Sequence, residues 1–218
     1  MNLNKEALFQ IGYGLFLAAA NENGKDNACI VNTVMQITQN PVRVLVSINN
    51  QNLTHDMVKR TGKITLSVLT EKTPFSIYQH FGYQSGNNVN KFEGFEDVTR
   101  CANGIYRLNR YSSAYICGTV CESYPLDTHT MFLVEVTDAD VVSSQKAVTY
   151  DYYQNYVKQP YRPAPKKPEQ KAESGAAGEK KNTYVCRVCG YVYEGDTLPE
   201  DYVCPICKHG AADFEKVE

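Results

Sequence analysis

The hydrophobic positions of this chain fall in short runs separated by turn residues. Gly12 to Ala20 and Ala28 to Gln36 are apolar segments flanking NENGKDN, and the Asn23-Gly24 step predicts a hairpin that pairs them. After Pro41, VRVLVSI is rich in β-branched residues and predicts another strand. LTHDMVKR reads as a short helix with Thr54 as its cap, and KITLSVL returns to strand alternation. Apolar runs at Ala114 to Val120 and Met131 to Val136 continue the theme. Many short strands with few helices predict a mainly β fold, a closed barrel with short helices.

Two segments break this pattern. HFGYQSGNNVNKFEGF, His80 to Phe95, has too many Gly and Asn residues for a regular element and reads either as a plain surface loop or as one that wraps a ligand. QPYRPAPKKPEQKAESGAAGEKKN, residues 159–182, holds four prolines and five lysines and no Leu, Ile, Val, Met or Phe. Such a stretch buries too little apolar surface to offset its ordering entropy, so it reads as a flexible linker with ends about 25–30 Å apart on average. The expected organisation is a domain over residues 1–158, a linker over 159–182 and a small domain over 183–218.

Composition narrows the function classes. With 218 residues and 43% hydrophobic content the chain has ample material for a packed core. A formal charge of -2 supplies no basic field for phosphate backbones, which argues against a nucleic-acid partner. The stretch ALFQIGYGLFLAAANENG has the look of a secretory leader, but Glu6 and Gln10 interrupt the approach and two glycines dilute the apolar run, so it reads as strand and turn. No run of about 18 apolar residues exists to span a bilayer. Cys29, Cys101, Cys117 and Cys121 are irregularly spaced and read as packing residues of a cytoplasmic protein. Cys117 and Cys121 would lie on one strand face about 13 Å apart, too far to pair.

The other four cysteines form two Cys-x-x-Cys pairs, Cys186/Cys189 and Cys204/Cys207. Four thiolates in a tail too small to fold on a hydrophobic core suit a tetrahedral metal, zinc or a single iron. The fuller pattern, Cys189-Gly190-Tyr191 with Tyr193, then Asp201-Tyr202-Val203-Cys204-Pro205, then Asp213-Phe214-Glu215, resembles rubredoxin over Tyr184 to Glu218. The resemblance implies one iron that carries one electron, walled from water by Tyr191, Tyr193, Tyr202 and Phe214. Two departures stand out: only 14 residues separate Cys189 from Cys204, and Tyr202 stands where tryptophan is usual. From Thr183 to Glu218 acidic residues outnumber basic ones 7 to 3, which suits docking on a positive partner surface.

The first domain has its own resemblance. Lys25 to Leu69, Ser85 to Phe92 (SGNNVNKF) and Thr128 to Val141 (THTMFLVEVTDADV) are similar to segments of the flavin reductase-like family, which binds FMN in a split β-barrel. The likeness runs over nearly all of residues 1–158. It implies that Thr54, Ser85 with Gly86, and Lys91 hold the FMN phosphate, and hydroxyls and a cation from separate loops suit that group. It also implies that Asn32, Thr33, Gln36 and the backbone of Val34 and Met35 lie against the isoalloxazine ring, with Asn49 beside them. On residue type alone, Asn32 and Thr33 are equally polar positions of a half-buried strand. His129 matches a family histidine near flavin and nicotinamide, where its role is orientation and electrostatics, as the residue assigned to catalysis. Tyr152, with Tyr153 and Tyr156, either covers the flavin or packs a terminal helix. Gly-x-Gly-x-x-Gly is missing, so NAD(P)H is expected as a transient substrate over the flavin. Family members are homodimers.

The order of the two parts resembles the high-molecular-weight rubredoxins of anaerobes. That resemblance implies electron transfer from NAD(P)H through FMN to the iron, and on to a redox partner such as a flavodiiron oxygen or nitric oxide reductase. Two other readings stay open: a flavin or ferric reductase that releases reduced flavin, and a zinc-ribbon binding module on a flavin-binding barrel.

Overall fold

A computed structural model describes residues 10–158, 182–186, 192–204 and 210–217. The chain divides into two compact units, Met1–Lys158 and Gln159–Glu218. Nearly all of the proposed linker lies outside the described residues; its last residue, Asn182, opens the first strand of the second unit.

The first unit is built on a seven-stranded antiparallel sheet. Its strands are β1 (Phe16–Glu22), β2 (Lys25–Val31), β3 (Val34–Gln39), β4 (Val42–Asn49), β5 (Lys63–Leu69), β8 (Ser112–Pro125) and β9 (His129–Val141), in the order β2-β1-β5-β8-β9-β4-β3. A short hairpin, β6 (Val98–Arg100) with β7 (Tyr106–Leu108), lies outside this order. The two edge strands, β2 and β3, are consecutive in the chain and joined only by Asn32 and Thr33. In a flat sheet these edges would stand roughly 29 Å apart, whereas three Cα steps reach at most about 11 Å. The sheet therefore curls until its edges meet, and Ser47 N donates to Thr33 O at 3.0 Å, which carries the β3–β4 ladder up to the junction. What reads in sequence as one apolar segment, Ala28 to Gln36, is two strands bent at this seam.

Curling gives the sheet an inside and an outside, and both are packed. Ala18, Val46, Ile48, Leu66, Phe132 and Val134 form an inner core with Met57 and Val58 of α1 (Leu53–Thr61). Leu17, Ala19, Ala28 and Leu69 face the other way, toward Ile77, Tyr78 and Phe81 of α2 (Phe75–Gly82) and toward Leu108 and Tyr153. Successive residues of β1 thus enter opposite cores, which is why FLAAA shows no polar alternation. The Asn23-Gly24 turn forms as the spacing predicts, with φ of 52° and 83° and Glu22 paired to Lys25.

Two local expectations change. The cap of α1 is Asn52, whose side chain makes no capping bond, and Thr54 sits inside the first turn, fully buried. The helix α2 has no counterpart in the sequence reading, because FSIYQHF is dominated by residues that favour strands; burial of Ile77, Tyr78 and Phe81 overrides that preference. After β9 the first unit ends in a short helix, α3 (Tyr150–Tyr152), that continues as a π turn, Tyr153–Val157.

The second unit is a three-stranded sheet, β11 (Val192–Gly195), β10 (Asn182–Cys186) and β12 (Phe214–Val217), in that order. Among the described residues no helix is long and apolar enough to cross a membrane.

Gly118 marks the closest backbone approach in the barrel. It follows a bulge in the β8–β9 pairing, and a Cβ there would lie 2.3 Å from Val134 Cγ1 and 2.6 Å from the Glu135 carbonyl oxygen. Gly118→Ala is expected to destabilise the first unit by about 1–3 kcal/mol, measured as a lower melting temperature of the barrel. Gly12→Ala, where nothing lies within 4 Å, should leave the melting temperature unchanged.

Candidate functional site

Three of the predicted residues converge on one short piece of β2. Asn27, almost fully buried, donates from Nδ2 to Thr54 Oγ1 at 2.9 Å. A Cβ at Gly86 would fall 2.3 Å from Asn27 Oδ1, so only glycine lets the 83–95 loop approach this closely. Lys91, from the far end of the same loop, donates from Nζ to Ala28 O and Phe81 O, both at 2.8 Å. Asn27, Ala28 and Cys29 are thereby surrounded by a helix start and by both ends of a loop.

Lys91 is the unusual member. It is 3% exposed, and among the described residues no carboxylate pairs with it. Burial pushes its amine below the ordinary lysine value, opposed by the neighbouring Cys29 thiol. The same burial pushes the Cys29 thiol up, with Lys91 and a hydrogen bond from Thr54 opposing it. Two of the three ammonium hydrogens are spent on carbonyls, which leaves one donor and the full charge for a further acceptor. The donor set of a buried cation and the Thr54 hydroxyl fits a phosphate.

The 83–95 loop is anchored rather than open. His80 Nε2 bonds the Lys91 carbonyl at 2.6 Å, His80 stacks on Phe95, and Phe92 and Phe95 both pack on Phe81. Ser85 is exposed at its start; its Oγ accepts from Asn87 N at 3.3 Å and its carbonyl accepts from Asn88 N at 3.0 Å.

The remaining residues lie along the barrel rim. At the seam, Thr33 Oγ1 donates to Asn32 Oδ1 at 3.0 Å, both half-buried. Val34 packs against the inner core, whereas Met35 and Gln36 are exposed on the edge strand β3. Ser47, which bonds Thr33 O, is two residues before Asn49 on β4, and Asn49 is paired with His129 across β4–β9. Asn49 holds the turn into α1, its carbonyl accepting from Asn52 N and its Oδ1 from Gln51 N. His129 is half-buried, with Nδ1 2.8 Å from Thr128 Oγ1, and burial pushes its imidazole below the ordinary value, so the ring is neutral at pH 7. A continuous path thus runs from the seam along β4 to His129 and through α1 to Thr54 and β2.

Tyr152 belongs elsewhere. It packs on the outer core with its ring 5.0 Å from Tyr156, and Tyr153 beside it is buried with its hydroxyl 2.6 Å from that of Tyr83. Among the described contacts none joins Tyr152 to the rim. Asn27, at the centre of the cluster on β2, looks in sequence like a turn residue beside Asn23-Gly24, and His55, buried in α1, looks like a surface helix position; neither is among the predicted residues.

In the second unit Cys186 ends β10 opposite Phe214, and Cys204 follows the bridge Val203–Gly210. Cys189, Cys207 and Tyr191 lie outside the described residues. Val185, Cys186 and Cys204 are the buried residues of this unit among those described, two of them thiols. Tyr184, Tyr193, Tyr202 and Phe214 form a continuous aromatic row, with centroids 6.2, 4.6 and 5.4 Å apart. Two buried thiols in so small a unit fit a metal-centred fold.

The buried ammonium has a measurable signature. Between the depressed folded-state value of Lys91 and the ordinary 10.5, the unfolded chain binds a proton that the folded chain does not. Stability therefore rises with pH through that window. Urea titrations across the alkaline range should show this rise in the native sequence and its loss in Lys91→Met; an identical slope in both would place the proton uptake elsewhere.

Comparison with known proteins agrees with the geometry. Residues 8–159 match the flavin reductase like domain, and residues 184–215 match the rubredoxin-like domain of rubrerythrin. The high molecular weight rubredoxin of Moorella thermoacetica is 33% identical over 99% of this chain and 100% of its own length. A ferric-chelate reductase (NAD(P)H) of Archaeoglobus fulgidus is 34% identical over 69% of this chain and 89% of its own. Among solved structures, flavoredoxin from Methanosarcina acetivorans superposes with a TM-score of 0.57 at 20% identity, covering 65% of this chain and 74% of its own, which supports the fold. The chain therefore belongs to the flavin reductase-like family, as an oxidoreductase of flavin-based electron transfer whose C-terminal domain is rubredoxin-like.

Proposed function

We propose that the chain takes electrons from NAD(P)H onto FMN held by residues 1–158, passes them to a single iron in residues 183–218, and delivers them to a redox partner such as a flavodiiron oxygen or nitric oxide reductase. The observation that carries the flavin part is the buried Lys91 ammonium, unpaired by any described carboxylate and adjoining the same β2 residues as the Thr54 hydroxyl. Lys91, Thr54 and Ser85 hold the phosphate. Asn32, Thr33, Gln36 and the backbone of Val34 and Met35 hold the ring edge, with Asn49 at the rim.

Bound FMN supplies the conversion between a two-electron hydride donor and a one-electron metal. The chain's own residues bind and orient. His129, neutral at pH 7, offers a hydrogen-bonding edge without adding charge, so it places the nicotinamide rather than exchanging a proton with it. Cys186, Cys189, Cys204 and Cys207 hold the iron, and the aromatic row that includes Tyr202 limits water around it. Met35, Ile37 and Val42, exposed by 59%, 46% and 43% on the β3–β4 edge, support a homodimer in which a second copy covers that edge. Cysteine usage supports a cytoplasmic setting.

A second reading has its own support. The Archaeoglobus fulgidus relative, a ferric-chelate reductase, matches the first part of the chain, which favours a reductase that hands electrons to ferric complexes directly. The two readings differ in the need for the second domain. In the full chain, Cys204→Ser should abolish the red colour of tetrathiolate iron, leave bound FMN and its reduction by nicotinamide unchanged, and cut transfer to a flavodiiron acceptor at least about tenfold. Undiminished transfer would assign the exit to the flavin. A colourless native protein that holds zinc would instead leave the second domain as a binding module.

A further inference from the structure

The turn that precedes His129 is held by a chain of side chains, buried at His55 and Thr130 and partly exposed at Asp56 and Asn50. His55, 5% exposed in the first turn of α1, has Nδ1 2.8 Å from Asp56 Oδ1 and Nε2 2.9 Å from Thr130 Oγ1. Thr130 Oγ1 donates to Asn50 Oδ1 at 2.8 Å, and Asn50 Nδ2 donates to Leu126 O at 3.2 Å. Asn50 N also donates to Thr128 O at 3.0 Å, so both ends of the 126–128 turn are bonded to one residue.

The hydrogen directions follow from the far end. The Leu126 carbonyl only accepts, so Asn50 points its amide nitrogen there and its oxygen at Thr130. Thr130 has one hydroxyl hydrogen, spent on that oxygen, so its oxygen accepts from His55 Nε2. The Asp56 carboxylate only accepts, so it takes its hydrogen from Nδ1. Both ring nitrogens donate, which is the pattern of the imidazolium. A cation in the first turn of a helix opposes the helix dipole, and Asp56, on the same turn, offsets that cost. From β9 the groups facing the ring are Thr130 and the Phe132 ring, whose centroid is 5.6 Å away.

We propose that His55 is a positioning residue: as the doubly protonated ring it ties the first turn of α1, which carries Thr54, to the start of β9, which carries His129. This rests on the assignment of Thr54 to phosphate and of His129 to the ring system. One hydrogen-bonded chain then fixes the distance between the two ends of the flavin site, so binding the phosphate and orienting the nicotinamide depend on the same contact.

The test uses the full chain in two steps. Nitrogen NMR on histidine-labelled protein at pH 7 should show two ring N–H signals for His55; a single signal overturns the charged clamp, whether or not nicotinamide is the electron donor. Thr130→Val keeps the shape and removes the hydroxyl link. It should shift the His129 ring resonances and speed FMN dissociation about tenfold, and Thr130→Ser should restore both. Unchanged His129 resonances and FMN dissociation in Thr130→Val would show that the clamp positions nothing. If the native chain retains no FMN, the flavin assignment fails, while the N–H count and the His129 shift still decide the clamp.

Discussion

Asn32 and Thr33 join strands at opposite edges of a seven-stranded sheet, and so short a connection forces the sheet to close. Closure sets the rest of the first unit. It creates an interior that α1 fills with Met57 and Val58, and it brings the end of β4, the start of β9 and the start of α1 to one rim. Asn32, Thr33, Asn49 and His129, proposed to face the flavin ring and the nicotinamide, lie along that rim because the strands end there.

The chemistry of the site depends on polar groups placed inside apolar packing. Lys91 is held within the fold by two backbone carbonyls, and its charge is matched by no described carboxylate. Such an arrangement costs stability in the bare protein and returns it when an anion binds, a common trade at sites that must hold a phosphate. Lys91 is thus a structural brace between β2 and α2, and it is also the cation proposed to meet the FMN phosphate. In the second unit the described buried residues are Val185 and the thiols Cys186 and Cys204, an arrangement that suits the metal centre proposed for it.

Much of this was legible in the sequence. The Asn23-Gly24 hairpin, the strands and the mainly β class follow from alternation and turn residues, and the two cysteine pairs follow from spacing. The family patterns supplied Thr54, Gly86 and Lys91, and the structure gathers these three around Asn27 to Cys29. What could not be read is long-range. The ammonium of Lys91 meets carbonyls 63 and 10 residues away, and no local pattern announces either. Asn27 and His55 look like ordinary turn and helix positions because their partners, Thr54 and Thr130, lie 27 and 75 residues distant. Thr54 seemed a cap because hydroxyls favour helix starts; burial against β2 gives it another use. The α2 helix was hidden by strand-favouring residues that tertiary burial overrules.

Electrons are proposed to flow in a fixed order: nicotinamide to flavin in the first domain, then to the metal in the second. Anaerobic rapid mixing of the intact protein with NADH or NADPH, followed by absorbance, tests it most directly. Loss of flavin absorbance should come first, and loss of the iron-thiolate absorbance should follow as flavin absorbance partly returns. Bleaching of the metal with no earlier change in the flavin would contradict that order.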